Sequence, residues 1–238
     1  MNKEKIQISF TGESNVSSSA KKAFFRPFVG SKYYTTGFYG KRILVVGASF
    51  YCDKKQCPYY SKCTDERIKD SSAYDKTCTE YNKNGHLLLS DCPTYELEGG
   101  NAYVRFGNSL SKLFFDSKLR WNEVWEMFSF TNYIQFILPH WQTYGYDISN
   151  RDKEALIEVV DEINPDVIVV WGVVVNDPIK SLAHDEDVMM KSGGYLCHWA
   201  HNGKEIAIVN PYHPTSSAYY SETDIEKFTL ALKEAING

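Results

Sequence analysis

The apolar residues of this chain gather into a few short continuous runs. "KRILVVG" (41–47) and "DVIVVWG" (166–172) are bounded by charge on one side and glycine on the other. Neither alternates between apolar and polar, which is the pattern of a strand covered on both faces, as in a parallel sheet. "MFSFTNYIQF" (127–136) predicts a further strand. "YLCHWAHNGKEIAIVN" (195–210) predicts a hairpin turning at Asn202-Gly203, with its second arm, 205–210, as the fourth sheet strand.

Helical spacing fills the intervals. Ala102, Phe106, Leu110 and Phe114 recur every four residues, with Leu113 alongside. Ser149 and Asp152 form a capping-box-like start, Leu156, Val159, Val160 and Ile163 share one face, and Pro165 lies just beyond the end. Residues 221–236 predict a closing amphipathic helix capped by Ser221. Helix followed by strand is the βαβ pattern, which implies a parallel sheet with right-handed crossovers. The expectation is a three-layer α/β/α sandwich on a four-stranded, mainly parallel sheet, one domain over 1–238. Residues 1–22 predict a loose polar lead-in. Residues 53–100 hold no period and predict an insertion on the rim of the sheet.

Charge and composition narrow the function classes. The formal net charge is −4, which argues against a general duplex-DNA binder, since phosphate neutralisation by basic residues supplies such affinity. The beginning of the chain shows no apolar core of signal-peptide length, and no run reaches about 18 apolar residues. The expectation is a cytoplasmic protein with no membrane span and no stable disulfides.

Two segments converge at the carboxyl edge of the predicted sheet, where open α/β sheets bind ligands. One is "GASFYC" (47–52), the other "NPYHPTSSAYY" (210–220). His213 precedes Pro214 on a rigid turn, and Thr215, Ser216 and Ser217 supply hydroxyls and N–H groups for an anion.

With these residues in place, the chain resembles the uracil-DNA glycosylase superfamily from roughly Phe25 to its end. "ILVVGASFYC" looks like the superfamily's first motif, and "FSFTNYIQ" like the strand whose asparagine reads the uracil edge. "INPDVIVVWG" is similar to its Pro-Asp strand, and "NPYHPTSSAYY" to its closing His-Pro-Ser motif. It looks most like an uncharacterised bacterial branch whose first motif reads Gly-Glu-Ser-His-Tyr-Cys. The resemblance implies an N-glycosidic hydrolase that takes a base out of the stack into a pocket, with DNA or a nucleoside as partner. His213 would stabilise the departing base and Asn132 would read its amide edge. Gly47, Ala48, Phe50 and Tyr51 would wall and stack on the ring, while Thr215, Ser216 and Ser217 would grip a phosphate. One departure stands out. Ala48, Ser49 and Phe50 replace the usual first-motif acid or amide, and Asp53 is the nearest carboxylate along the chain. A non-catalytic nucleobase or nucleic-acid binding module on the same fold is therefore the first alternative.

A second resemblance is to the SGNH hydrolases. "GAS", "GVVVND" (172–177) and "NPYHP" look like altered versions of their blocks. That would make Ser49 a nucleophile and His213 its base, with Asn210 where an orienting carboxylate belongs. It leaves "FTNYIQ" without a role.

Five of the six cysteines, Cys52, Cys57, Cys63, Cys78 and Cys92, fall in one stretch. In a reducing compartment such clustering points to metal more than to disulfide. The spacing is not a standard zinc pattern. Some glycosylase branches hold an iron–sulfur cluster on four cysteines at a different spacing. Cys57, Cys63, Cys78 and Cys92 would hold a structural zinc or iron–sulfur cluster, with His86 as a spare ligand. The alternative is buried thiols acting as small apolar groups.

Overall fold

Ile43, Leu44, Val45 and Val46 have no exposed surface, and neither do Val167, Ile168, Val169 and Val170. Burying each such side chain contributes roughly 1.5–3 kcal/mol. These two runs form the centre of the sheet. The computed structural model describes residues 23, 27–52, 102–134, 137–139, 148, 150–172, 174–184, 196–216 and 221–238. The lead-in, the 53–100 insertion and the cysteines Cys57, Cys63, Cys78 and Cys92 lie outside the described residues.

The protein is α/β. In chain order the elements are β1 (Phe28–Val29), β2 (Ile43–Gly47), β3 (Phe50–Cys52), α1 (Ala102–Phe115), α2 (Trp121–Trp125), β4 (Phe128–Asn132) and β5 (Ile137–Pro139). Then follow α3 (Asn150–Ile163), β6 (Val167–Val170), α4 (Asn176–Lys180), β7 (Leu196–His201), β8 (Lys204–Val209) and α5 (Glu222–Asn237). Among the described residues the main sheet has six strands, in the order β1-β4-β2-β6-β8-β7. The inner four, β4, β2, β6 and β8, are parallel. The expected four-stranded sheet is corrected by two antiparallel edges: β1 pairs with β4, and the first hairpin arm, β7, folds back on β8. A separate pair, β3 and β5, runs parallel beyond the ends of β2 and β4.

Local chemistry explains the boundaries. α3 stops at Asn164, which takes a left-handed φ of 46° before Pro165, because Asn tolerates that conformation and Pro cannot continue a helix. The hairpin turns at Asn202 and Gly203, both at positive φ (49° and 75°), as a two-residue primed turn requires. α5 begins at Ser221, whose hydroxyl accepts from the Asp224 N–H.

Aromatic rings fill the core beside α1 and α2. Trp125 lies 5.5 Å from Phe106, 6.1 Å from Phe130 and 5.9 Å from Trp171, centroid to centroid. Phe106 also reaches Phe228 of α5 at 6.3 Å. Part of the chain's 15% aromatic content is thus core packing.

At the amino edge, one carboxylate ties three strand starts together. Asp166 accepts from the Arg42 backbone N–H at 2.7 Å and pairs with Lys204 Nζ at 2.6 Å and Arg42 Nη2 at 3.4 Å. Lys204 also donates to the Pro165 carbonyl at 2.7 Å. Burial alone would raise the Asp166 pKa, but the Lys204 ammonium and the Arg42 donors outweigh it and hold the carboxyl below its usual value. The clamp therefore contributes fully above the unfolded value near 3.9 and is lost as pH falls through the lower folded value. Asp166→Asn is expected to cost about 1–3 kcal/mol at pH 7. Urea melts of both proteins should show that gap shrinking below about pH 4; a gap that persists unchanged in acid would contradict the assignment.

Candidate functional site at the carboxyl edge of the sheet

β2 lies between β4 and β6, so the sheet order reverses on either side of it. This is the position at which open parallel sheets form a crevice. Register lines up the floor. Gly47 pairs with Asn132 of β4. Val46 pairs with Val170, and Trp171, one residue on, donates its backbone N–H to the Val46 carbonyl at 2.9 Å. Asn132, Gly47 and Trp171 therefore form one row across the carboxyl edge. Residues in register share a face, and the Trp171 ring accordingly meets Phe130, two residues before Asn132, at 5.3 Å.

Gly47 is required by its neighbours. A Cβ there would stand 2.5 Å from Asn132 Oδ1 and 2.9 Å from Phe130 Cζ. The missing side chain leaves room for the Asn132 amide, which is 3% exposed. The two strands continue together past the row, since the Gly47 and Ala48 carbonyls accept from the Tyr133 and Ile134 N–H groups. Ala48 packs against the core and Ser49 is half-buried.

The closing segment returns to the same row. Asn210 donates through Nδ2 to the Val170 carbonyl at 2.8 Å and the Gly172 carbonyl at 2.9 Å. Gly172, at φ +80°, donates its N–H to the Pro211 carbonyl at 3.1 Å. A Cβ on Gly172 would lie 3.3 Å from His213 Cβ. The His213 ring packs edge-on against Trp171, with centroids 5.8 Å apart.

His213 has a defined tautomer. Its Nδ1 accepts the Thr215 backbone N–H at 3.3 Å and lies 2.8 Å from the Thr215 hydroxyl. A backbone amide can only donate, so Nδ1 is the acceptor and the ring proton sits on Nε2. Burial holds the imidazole pKa below the ordinary histidine value. The ring is thus neutral at pH 7 and presents an N–H donor. Between that lowered value and about 6.5 the unfolded chain binds more protons. The His213 contribution to stability accordingly rises with pH through that window and is complete above it.

These contacts revise several expectations. The backbone N–H groups of Thr215 and Ser216, expected to face a phosphate, close the turn on His213 Nδ1 and the His213 carbonyl. Ser217 lies outside the described residues. Asn210 does not orient His213, because its amide N–H groups serve the ends of β6. In a serine-hydrolase arrangement Nδ1 donates to the orienting group and Nε2 takes the nucleophile's proton; here Nδ1 accepts and Nε2 is already protonated. Phe50 and Tyr51 lie on β3, but their side chains, and Asp53, lie outside the described residues.

Ala48 and Ser49, the described residues that follow β2, carry no carboxylate. The buried acid among the described residues is Asp152, in the first turn of α3, where a negative charge complements the helix N-terminus. Its influence falls on Tyr133, whose phenol is pushed up to about 12 by burial and then by the Asp152 charge. Trp171 and the bracing role of Asn210 escaped sequence reasoning. A tryptophan closing an apolar run reads as core, and nothing in the sequence marks it as a neighbour of His213.

Compared with known proteins, the chain matches no family model and no curated protein sequence. Among the described residues, no helix is long and apolar enough to cross a membrane.

Nitrogen-15 NMR of the imidazole at pH 7 is expected to find His213 neutral, protonated on Nε2 and titrating below 6.5. A proton on Nδ1 at neutral pH would overturn the geometry described for this turn.

Proposed function

We propose that the protein is a uracil-DNA glycosylase-like α/β protein whose carboxyl-edge crevice takes a nucleobase, free or within a nucleic acid. One juxtaposition carries this reading: the Asn132 amide and the Trp171 indole stand at opposite ends of one row, with side-chain-free Gly47 between them and the His213 imidazole packed on Trp171. Two strand spacings, about 9–10 Å, separate the strands that hold Asn132 and Trp171. That span suits a single planar ring. An amide offers both a donor and an acceptor to the edge of a base.

The fold supports the same reading. Four parallel strands reverse their order at β2, with α1 and α2 before β4 and α3 before β6. Right-handed crossovers to opposite sides of β2 would put these helices on opposite faces, as a three-layer arrangement requires.

Chemically, the crevice would favour charge building on a departing base. The neutral His213 Nε2–H is held in place by Thr215 before any reaction, and a donor already oriented costs no reorganisation when an anion develops. At the first-motif positions among the described residues, no acid or amide is present to activate water. Ala48 stands there, and Ser49 offers only a neutral hydroxyl. Base binding is therefore the primary activity, and cleavage of the N-glycosidic bond is slow or absent.

Calorimetry with uracil and a uracil-containing single strand is expected to show binding, weakened about tenfold or more by His213→Ala. Base release by the wild type should lie near background and rise in Ala48→Glu. Failure of the wild type to bind either probe would overturn the proposal, and labelling of Ser49 by a fluorophosphonate would replace it with the serine-hydrolase reading.

A further inference from the structure

Trp171 carries a buried hydrogen-bond donor that no described residue accepts. The residue is 2% exposed, and its Nε1–H has no hydrogen-bond partner among the described residues. The neighbouring indole behaves otherwise: Trp125 Nε1 donates to the Tyr103 carbonyl at 2.9 Å. An indole N–H can only donate, and burying it without an acceptor is costly. A phenylalanine would pack against Phe106 and Phe130 with no such cost, so packing alone does not account for a tryptophan here.

Position suggests what the donor serves. Trp171 stands beside Gly47 in the row that ends at Asn132, and its ring touches His213. We propose that Trp171 is a ligand-contacting specificity residue, its Nε1–H donating to an oxygen acceptor, such as a ring carbonyl, of the molecule held between Asn132 and His213. This rests on the base-binding reading given above. It adds a requirement of its own, since a donor that cannot invert selects ligands that place an acceptor at that point. Neighbouring rings fix the indole on several sides, with Tyr103 at 5.5 Å and Phe106 at 5.2 Å. The donor is therefore oriented before binding, which limits the ordering cost.

The test uses the full chain, uracil as probe and the Trp171→Phe variant, which keeps a ring in the cluster and removes only the N–H. The chain has five tryptophans, so the indole proton absent from the variant's NMR spectrum is that of Trp171. If the variant does not fold, contacts to His213 assign the signal in the wild type. Uracil is expected to move that signal downfield, and W171F to bind uracil about tenfold more weakly. Uracil binding that leaves the signal in place, with W171F binding as tightly as wild type, would overturn this assignment and leave the base-binding reading standing. Absence of uracil binding in the wild type would overturn both.

Discussion

The candidate site depends on how β2 is held. Its residues pair in parallel with β4 on one side and β6 on the other, without a slip. Moving either partner by one residue would turn its side chains to the opposite face. Asn132 or Trp171 would then leave the row, and the crevice would lose one wall. The Asp166 clamp secures the register from the far edge, because it binds the starts of β2, β6 and β8 at once. Stability is concentrated at the amino edge and candidate chemistry at the carboxyl edge of the same strands.

That division explains the polar residues that do not face the crevice. Asn210 braces the end of β6 against the end of β8. Thr215 spends its backbone donor, and sets its hydroxyl, on orienting one histidine. Gly47 and Gly172 are small because an amide and an imidazole need the space beside them. Thr215, Gly47 and Gly172 accommodate or position His213 and Asn132, and a tight arrangement of this kind suits a site that holds a rigid planar ligand. The aromatic cluster below supplies rigidity. Trp171 belongs to both the cluster and the row, linking the packed interior to the carboxyl edge of the sheet.

Much of this fold was legible in the sequence. The unalternating runs at 41–47 and 166–172 gave β2 and β6, Asn202-Gly203 gave the hairpin, and the spacing of Ala102 to Phe114 gave α1. Shorter elements escaped, namely β1, β3, α2, β5 and α4, because two to five residues carry no period. The four-stranded expectation counts only the second hairpin arm, and the first arm, β7, joins the sheet at its edge. It is an edge strand, where polar residues are tolerated. His213 was legible as a candidate from its place after a strand, and Asn132 only through the resemblance carried by "FSFTNYIQ". The inward use of the Thr215 and Ser216 N–H groups was not, since turn geometry decides which way a backbone donor points.

The central claim is that one ligand lies along the row from Asn132 to Trp171 over Gly47, within reach of His213. A co-crystal structure with 2′-deoxyuridine tests it most directly. The account predicts the base in that crevice, its amide edge on Asn132 and an oxygen within hydrogen-bond distance of His213 Nε2. A base bound elsewhere, for example in the open cavity of about 470 Å³ lined by Lys112, Ser117 and Arg120 near the end of α1, would contradict it.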